Sequence, residues 1–105
     1  MVNEKKVMQM LSISSKAGKV ASGEFQCEEV IRKGSACVVL VSADASDNTC
    51  KKFSNKCEFY GVPFYKLSCD KEVLGRTIGK EKRSCVAVTD EGLAGALLKN
   101  LKENE

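Results

Sequence analysis

The chain has 105 residues, of which 43% are hydrophobic and 30% are charged, and its formal net charge is +3. This length suits one domain, spanning 1–105, with a single hydrophobic core, and the composition is that of an ordinary globular protein. No apolar run approaches the ~20 residues that a membrane-spanning helix needs, and no basic-then-apolar leader opens the chain, so we expect a cytoplasmic protein without a membrane partner.

The first third of the chain predicts a helix, a short strand and a second helix. Apolar residues at helical spacing indicate a helix over 3–17, which Gly18 ends. A short strand at 19–21 is expected to follow. Ser22 is expected to cap a second helix over 23–33, because a serine oxygen can accept a hydrogen bond from a free N–H of the first turn.

The middle of the chain predicts strand, helix and strand. The uninterrupted apolar run 36–42 has the length of a strand that is covered on both faces. Asp44 or Ser46 is expected to cap a third helix over 47–60, and 62–67 predicts a further strand. The inward side chains of the third helix are expected to be Cys50, Phe53, Cys57 and Tyr60.

The last third predicts helix, strand and helix. Asp70 is expected to open a fourth helix that Gly79 closes, with Val73, Leu74 and Ile78 facing inward. The segment 84–89 predicts a buried strand, and Asp90 is expected to cap the last helix. Strands that alternate with helices predict an α/β fold, a three-layer α/β/α sandwich with a mixed four-stranded sheet.

The six cysteines favour a reduced core rather than disulfides or a metal. No two of them form a C-x-x-C pair and the chain has no histidine, so the usual zinc knuckle is missing. Several lie inside apolar runs, where free cysteine behaves as a small hydrophobic residue. The predicted free thiols are those of Cys27, Cys37, Cys50, Cys57, Cys69 and Cys85.

Basic charge is concentrated in two short segments that lie far apart in sequence. Residues 1–23 and residues 76–83 each sum to +3, so the rest of the chain sums to −3. If folding brings the two segments together, they form the electrostatic footprint of a phosphate-binding surface. For either segment taken alone, a solvated charged turn is the favoured interpretation.

Catalytic and nucleotide-binding motifs are absent from the sequence. Without histidine the usual general base is missing, and the carboxylates fit helix caps better than a catalytic pair. The segment 75–80, Gly-Arg-Thr-Ile-Gly-Lys, departs from a phosphate-binding loop in its glycine spacing, in the Glu81 that follows it and in having no strand before it. We therefore expect no enzyme, no catalytic residue, no cofactor and no nucleotide.

Several motifs occur in order along the chain and together resemble a known family. They are SGE at 22–24 with RKG at 32–34, VVLV at 38–41 with ADAS at 43–46, the segment 57–62 before Pro63, LGRTIG at 74–79 and VAVTDEG at 86–92. No single motif is specific, but the ordered set resembles the kink-turn-binding ribosomal protein family, the large-subunit seven-Ae and thirty-e group. The chain looks most like a short bacterial, ribosome-associated branch of that family.

The resemblance implies where RNA would bind. In that family the start of the second helix and the loop before the last strand lie side by side and hold a sharply bent RNA, with the helix start reading sheared G·A pairs. The implied partner is structured RNA, kink-turn-like or ribosomal. The residues expected to bind it are Lys16, Lys19, Gly23, Glu24, Phe25, Gln26, Lys33, Lys80, Lys82 and Arg83.

The chain departs from the family pattern at the positions that would read bases. The family's Asn-Glu pair falls on Phe25 and Gln26, its following lysine falls on Glu29, and its small apolar loop reads Lys-Glu-Lys-Arg at 80–83. Phe25 is compatible either with stacking on an unpaired base or with a place in the core. A second hypothesis is a protein-interaction adaptor of the same fold, which would not require the paired basic segments.

Overall fold

Helices and strands alternate along residues 3–101, the part of the chain that the computed structural model describes. The helices are α1 (Glu4–Lys16), α2 (Glu24–Arg32), α3 (Asp47–Tyr60), α4 (Lys71–Thr77) and α5 (Glu91–Lys99). The strands are β1 (Val20–Ser22), β2 (Val38–Val41), β3 (Phe64–Lys66) and β4 (Cys85–Val88). These elements occur in the predicted order. The outermost residues of the predicted domain, 1–2 and 102–105, lie outside the described residues.

The four strands form one mixed sheet in the order β1-β4-β2-β3. Strand β4 pairs antiparallel with both β1 and β2, whereas β2 and β3 are parallel. Because successive side chains of a strand point to opposite faces, β2 sends Val38 and Leu40 into one core and Val39 and Val41 into another. Helices α1, α4 and α5 cover the first core, and α2 and α3 cover the second. The predicted α/β/α sandwich is confirmed.

The helix starts show which cap predictions were correct. Ser46 caps α3, since its hydroxyl oxygen accepts from the N–H of Thr49. Asp44 instead accepts from the hydroxyl of Ser42 and from the N–H of Lys71, which lowers the pKa of its carboxyl and ties β2 to the start of α4. The prediction that Ser22 caps α2 was wrong: Ser22 is the last residue of β1, and Gly23 holds the cap position.

Two side chains that were predicted to face inward are partly exposed. Tyr60 is 44% exposed and Val73 is 38% exposed. Tyr60 is the last residue of α3. This helix has 14 residues and is longer than the 9-residue α2 packed beside it, so the end of α3 is less well covered. Val73 lies on the outer side of α4, whose buried residues are Leu74 and Gly75.

The six cysteines are free, and Cys27, Cys57 and Cys85 are buried. Burial raises the pKa of Cys57 to about 11, and the pKa of Cys85 is raised by a hydrogen bond with the Cys27 thiol and by burial. The Cys57 and Cys85 thiols are therefore protonated at neutral pH, and all three buried cysteines fill the core beneath α2. No helix within residues 3–101 has both the length and the apolar character needed to span a membrane.

Candidate nucleic-acid interface

An open hollow of about 440 Å³ lies where β1 ends, α2 begins and the chain enters β4. We call it the α2 hollow. It brings one end of the second helix together with part of the second basic segment, although the two are about sixty residues apart in sequence. Its walls are formed by Ser22, Gly23, Glu24, Phe25, Gln26, Lys82, Arg83 and Ser84.

The backbone at Gly23 opens the first turn of α2 to a ligand. Gly23 has φ 86° and ψ 157°, a region that is essentially restricted to glycine, and its N–H donates to the carbonyl of Cys85 at 2.9 Å. No side chain caps the helix. The first N–H groups of α2 therefore remain available at the positive end of the helix dipole, an arrangement that suits a phosphate or another acceptor.

The opposite wall is formed by the end of the segment 79–84, which we call the basic loop. It packs closely on α4, because the N–H of Lys80 donates to the carbonyl of Gly75 at 2.9 Å and the N–H of Arg83 donates to that of Lys71 at 3.0 Å. A Cβ atom on Gly75 would lie 1.7 Å from the carbonyl oxygen of Glu81. The loop can reach the α2 hollow only because residue 75 has no side chain.

Arg83 joins the basic loop to the start of α2. Its Nε donates to the hydroxyl oxygen of Ser22 at 3.2 Å and its Nη1 donates to the carbonyl of Lys82 at 2.9 Å. The N–H of Ser42 also donates to the carbonyl of Ser84 at 3.0 Å. The guanidinium is thus held in place before any ligand binds, which lowers the entropy lost on binding.

Glu24 points its carboxylate toward α3. Lys52 Nζ lies 2.6 Å from one carboxylate oxygen, and the hydroxyl of Thr49 donates to the other at 2.8 Å. These hydrogen bonds, that of Lys52 first, lower the pKa of Glu24 and keep it ionised. Glu24 therefore stabilises the packing of α2 on α3. Lys52 was missed by sequence reasoning, because 28 residues separate it from its partner.

Phe25 and Gln26 are both exposed in the first turn of α2. Phe25 is 72% exposed, so the alternative that it is a core residue was wrong. Gln26 is exposed as well, and its amide carries both donors and an acceptor. An aromatic ring and an amide at an open helix start can stack on a base and hydrogen-bond to a base edge.

The remaining predicted residues lie outside the α2 hollow. Lys80 lies in an adjoining hollow of about 230 Å³, together with Lys82 and Arg76, which was not among the predicted site residues. Lys33 is at the far end of α2. Lys19 is at the opposite end of β1 from Gly23, about 13 Å along the strand.

Lys16 belongs to the last turn of α1, on the side of the molecule where α1 meets α4. The hydroxyl of its neighbour Ser15 donates to the carbonyl of Ile78 at 3.0 Å, so the end of α1 lies beside the residue before the basic loop. The structure therefore places Lys82 and Arg83 of the second basic segment beside the start of α2, and it leaves Lys16 and Lys19 of the first segment around the end of α1 and the start of β1.

The fold and the α2 hollow together define an α/β/α domain that presents an uncapped helix start beside a basic loop. The model of the ribosomal protein L7Ae/L30e/S12e/Gadd45 family matches residues 5–98. The chain belongs to this family, as its ordered motifs predicted.

Among the relatives are two that carry the name RNA-binding protein YlxQ. The one from Bacillus subtilis (strain 168) is 47% identical over 89 residues, covering 85% of this chain and 88% of the relative. The one from Enterococcus faecium is 36% identical over 92 residues, covering 88% of this chain and 87% of the relative. The predicted bacterial branch is confirmed. The prediction that the chain is not an enzyme is confirmed by the family and by these names.

Solved structures share the fold along nearly the whole chain. A protein of unknown function from Bacillus halodurans superposes with a TM-score of 0.88 at 31% identity, over 93% of this chain and 98% of that one. The 15.5 kDa RNA-binding protein of Giardia lamblia gives a TM-score of 0.79 at 17% identity, over 92% of this chain and 82% of that one. The second likeness concerns the fold alone.

Proposed function

We propose that the chain is a cytoplasmic protein that binds structured RNA, of the kink-turn or ribosomal kind, through the α2 hollow. The observation that carries the proposal is the placement of Lys82 and Arg83, on a loop held by hydrogen bonds, beside the uncapped start of α2. The names of the two YlxQ relatives, which are RNA-binding proteins, support the same partner.

Phosphate contacts supply most of the affinity in this proposal. Lys82 and Arg83 lie on one wall and the free N–H groups of α2 on the other, so a phosphate between them meets positive charge from both sides. Arg83 donates from a fixed guanidinium, which suits the two oxygens of a phosphate.

Gln26 and Phe25 supply discrimination between RNA shapes. A regular A-form duplex hides its bases in a major groove too narrow for side chains, whereas a bent or bulged element widens it and exposes base edges. Within the α2 hollow, the first turn of α2 presents an exposed aromatic ring, that of Phe25, next to an exposed amide, that of Gln26. An irregular element is therefore the partner that this surface fits best.

The experiment compares two RNAs of equal charge, a duplex bent by a bulge with tandem G·A pairs and a straight duplex of the same length. The wild-type protein should bind the bent duplex more tightly. In the double variant Lys82→Ala, Arg83→Ala, affinity for both RNAs should fall about 10- to 100-fold, since charge-assisted hydrogen bonds contribute about 1.5–3 kcal/mol each and exposure reduces this.

The matched control is Lys99→Ala, which removes an exposed cation in the last turn of α5, on the other side of the sheet. It should bind both RNAs as the wild type does. If the double variant and the control bind the bent RNA with equal affinity, the basic loop is a solvated turn and the adaptor hypothesis takes precedence.

A further inference from the structure

A groove of about 130 Å³ runs between the outer faces of α2 and α3. The starts of the two helices lie side by side, because Glu24 of α2 contacts Thr49 and Lys52 in the first half of α3. Phe25 therefore lies at one end of this α2–α3 groove, and Tyr60, the last residue of α3, lies toward the other.

Aromatic rings are exposed at both ends of the α2–α3 groove. Phe25 is 72% exposed and Tyr60 is 44% exposed, and the ring of Phe59, itself 82% exposed, meets Tyr60 edge-on with 5.0 Å between ring centroids. Large aromatic side chains gain most from burial, so a cluster of them at the surface indicates a binding partner.

The acidic side chains of the groove are already paired. Glu29 forms an ion pair with Arg32, and Glu28 lies 3.7 Å from Lys52. Lys56 lines the groove and forms no ion pair within residues 3–101. The groove lining therefore balances two acids with two bases, and Lys56 is the charged side chain of the lining left to contact a phosphate.

We propose that a single-stranded stretch of RNA occupies the α2–α3 groove, with bases stacked on Phe25 and Tyr60 and a phosphate beside Lys56. The inference rests on the proposed function, because Phe25 lines both the α2 hollow and the groove. A strand that leaves the α2 hollow thus enters the groove directly. Aromatic rings flanked by cations bind single strands of any sequence, since every base has a stacking face.

Lys33 fits this path as well. It follows the last residue of α2 and is exposed, at the end of the helix away from Gly23. Sequence reasoning grouped it with the RNA-binding residues, yet it lies outside the α2 hollow. A strand that follows the groove from Phe25 toward Tyr60 runs toward Lys33, so Lys33 can contact a phosphate of that strand but not one bound in the α2 hollow.

The test uses the full chain and two forms of the bent duplex, one blunt and one with a short single-stranded uridine tail on either end. The tail should increase wild-type affinity, and Tyr60→Ala should remove the part of that gain that comes from stacking on Tyr60. Replacing a ring on which a base stacks by alanine lowers RNA affinity by about 5- to 150-fold per base. Tyr60→Phe keeps the ring and should retain the gain. So should Ile13→Ala, the matched control, which removes an apolar side chain of similar exposure, 51%, from α1 on the other side of the sheet.

Two further readouts separate contact from folding. A 2-aminopurine placed in the tail to stack on Tyr60 should lose fluorescence on binding the wild type and Ile13→Ala, but not on binding Tyr60→Ala. Lys56→Ala should lower the salt dependence of binding for the tailed RNA but not for the blunt RNA. The loss of about one phosphate contact should change the slope of log affinity against log salt by roughly 0.7, the value for a single strand. These variants leave the α2 hollow unchanged, so their blunt-RNA affinity reports on that site.

The outcomes distinguish the two proposals. If the tail adds no affinity while the blunt RNA still depends on Lys82 and Arg83, the groove proposal is overturned and the proposed function stands. If the wild type binds neither RNA, both are overturned. Self-association of the wild type that Tyr60→Ala abolishes, without any effect of the tail, would overturn the groove proposal in favour of a second copy of the chain.

Discussion

Gln26 and its neighbours in the first turn of α2 hold the contacts that would distinguish one RNA from another. The carboxylate of Glu24 is taken up by Lys52 and Thr49, which leaves the exposed Gln26 amide as the hydrogen-bonding side chain of that turn. Gly23 contributes no side chain and allows a close backbone approach.

Gln26→Ala should therefore reduce discrimination between the bent and the straight duplex. The expected loss is about 1–3 kcal/mol, the size of a direct base contact in the grooves of DNA. Gln9→Ala removes an exposed glutamine from α1 and serves as the control. Titration of both RNAs with each variant gives the result: an equal loss for both RNAs would mean that Gln26 contacts phosphate rather than bases.

Glu24 also makes folding sensitive to acid. Hydrogen bonds from Lys52 and Thr49 lower its pKa in the folded state, so they stabilise the fold above the unfolded-state pKa. That contribution should be lost as pH falls through the folded-state pKa. In urea unfolding, Glu24→Gln should reduce stability at neutral pH and flatten its decline below about pH 5. The control is Glu58→Gln, a substitution at an exposed position of α3, and its stability should depend on pH as that of the wild type does. If the stability of Glu24→Gln falls with pH in parallel with that of Glu58→Gln, Glu24 does not contribute to the acid sensitivity of folding.

At the scale of elements, α4 determines where the basic loop can lie. The buried face of α4 includes Gly75, and the carbonyl of Glu81 occupies the space where a side chain would stand. The loop is held there by Lys80 and Arg83 backbone hydrogen bonds to the helix. The position of the cations therefore depends on a residue that carries no charge.

Gly75→Ala should weaken RNA binding without removing a cation. The added methyl group must displace the loop, and overpacking of this kind costs about 1–3 kcal/mol of stability, more than the gain in helix propensity. Gly95→Ala is the matched control, since a Cβ on that helical glycine meets nothing within 4 Å. Urea unfolding and RNA titration measure both effects. If Gly75→Ala is folded and binds bent RNA as tightly as Gly95→Ala does, RNA binding does not depend on the position of the basic loop against α4.

The same elements show what the sequence could predict. Apolar periodicity and the side-chain caps Ser46, Asp70 and Asp90 located most helices, because these signals are local. The Gly23 cap was missed because a glycine offers no polar side chain to recognise. The prediction that Val73 faces inward was wrong, since α4 buries Leu74 and Gly75 instead. The loop packed on Gly75 could not be predicted, because a close approach between backbones leaves no periodic pattern.

The site was predicted in part for a similar reason. The sequence marks both basic segments, and the family resemblance brings one of them to the start of α2. The length of β1 separates Lys19 from Gly23, and a count of charges along the sequence cannot reveal this distance. The Glu24–Lys52 ion pair depends on how α2 packs on α3, so it became visible only in the folded chain.

For the whole molecule, charge placement predicts how binding responds to salt. The α2 hollow and its adjoining hollow together hold four cations, Arg76, Lys80, Lys82 and Arg83, and the acids that share the adjoining hollow are Glu72 and Glu81. The net charge of the chain is only +3, so long-range attraction is weak and the local cluster must account for the electrostatic part of binding.

If these four cations each displace one counterion from the RNA, log affinity against log salt should have a slope of about −3 to −4. The double variant Arg76→Ala, Lys80→Ala should reduce its magnitude by about one to two while keeping the preference for bent over straight RNA, because neither residue lies near Gln26. Lys99→Ala should leave the slope unchanged. Titrations at several salt concentrations measure all three. A slope that Arg76 and Lys80 do not alter would restrict the phosphate contacts to Lys82, Arg83 and the start of α2, and a lost preference would place the two residues among the groups that read RNA shape.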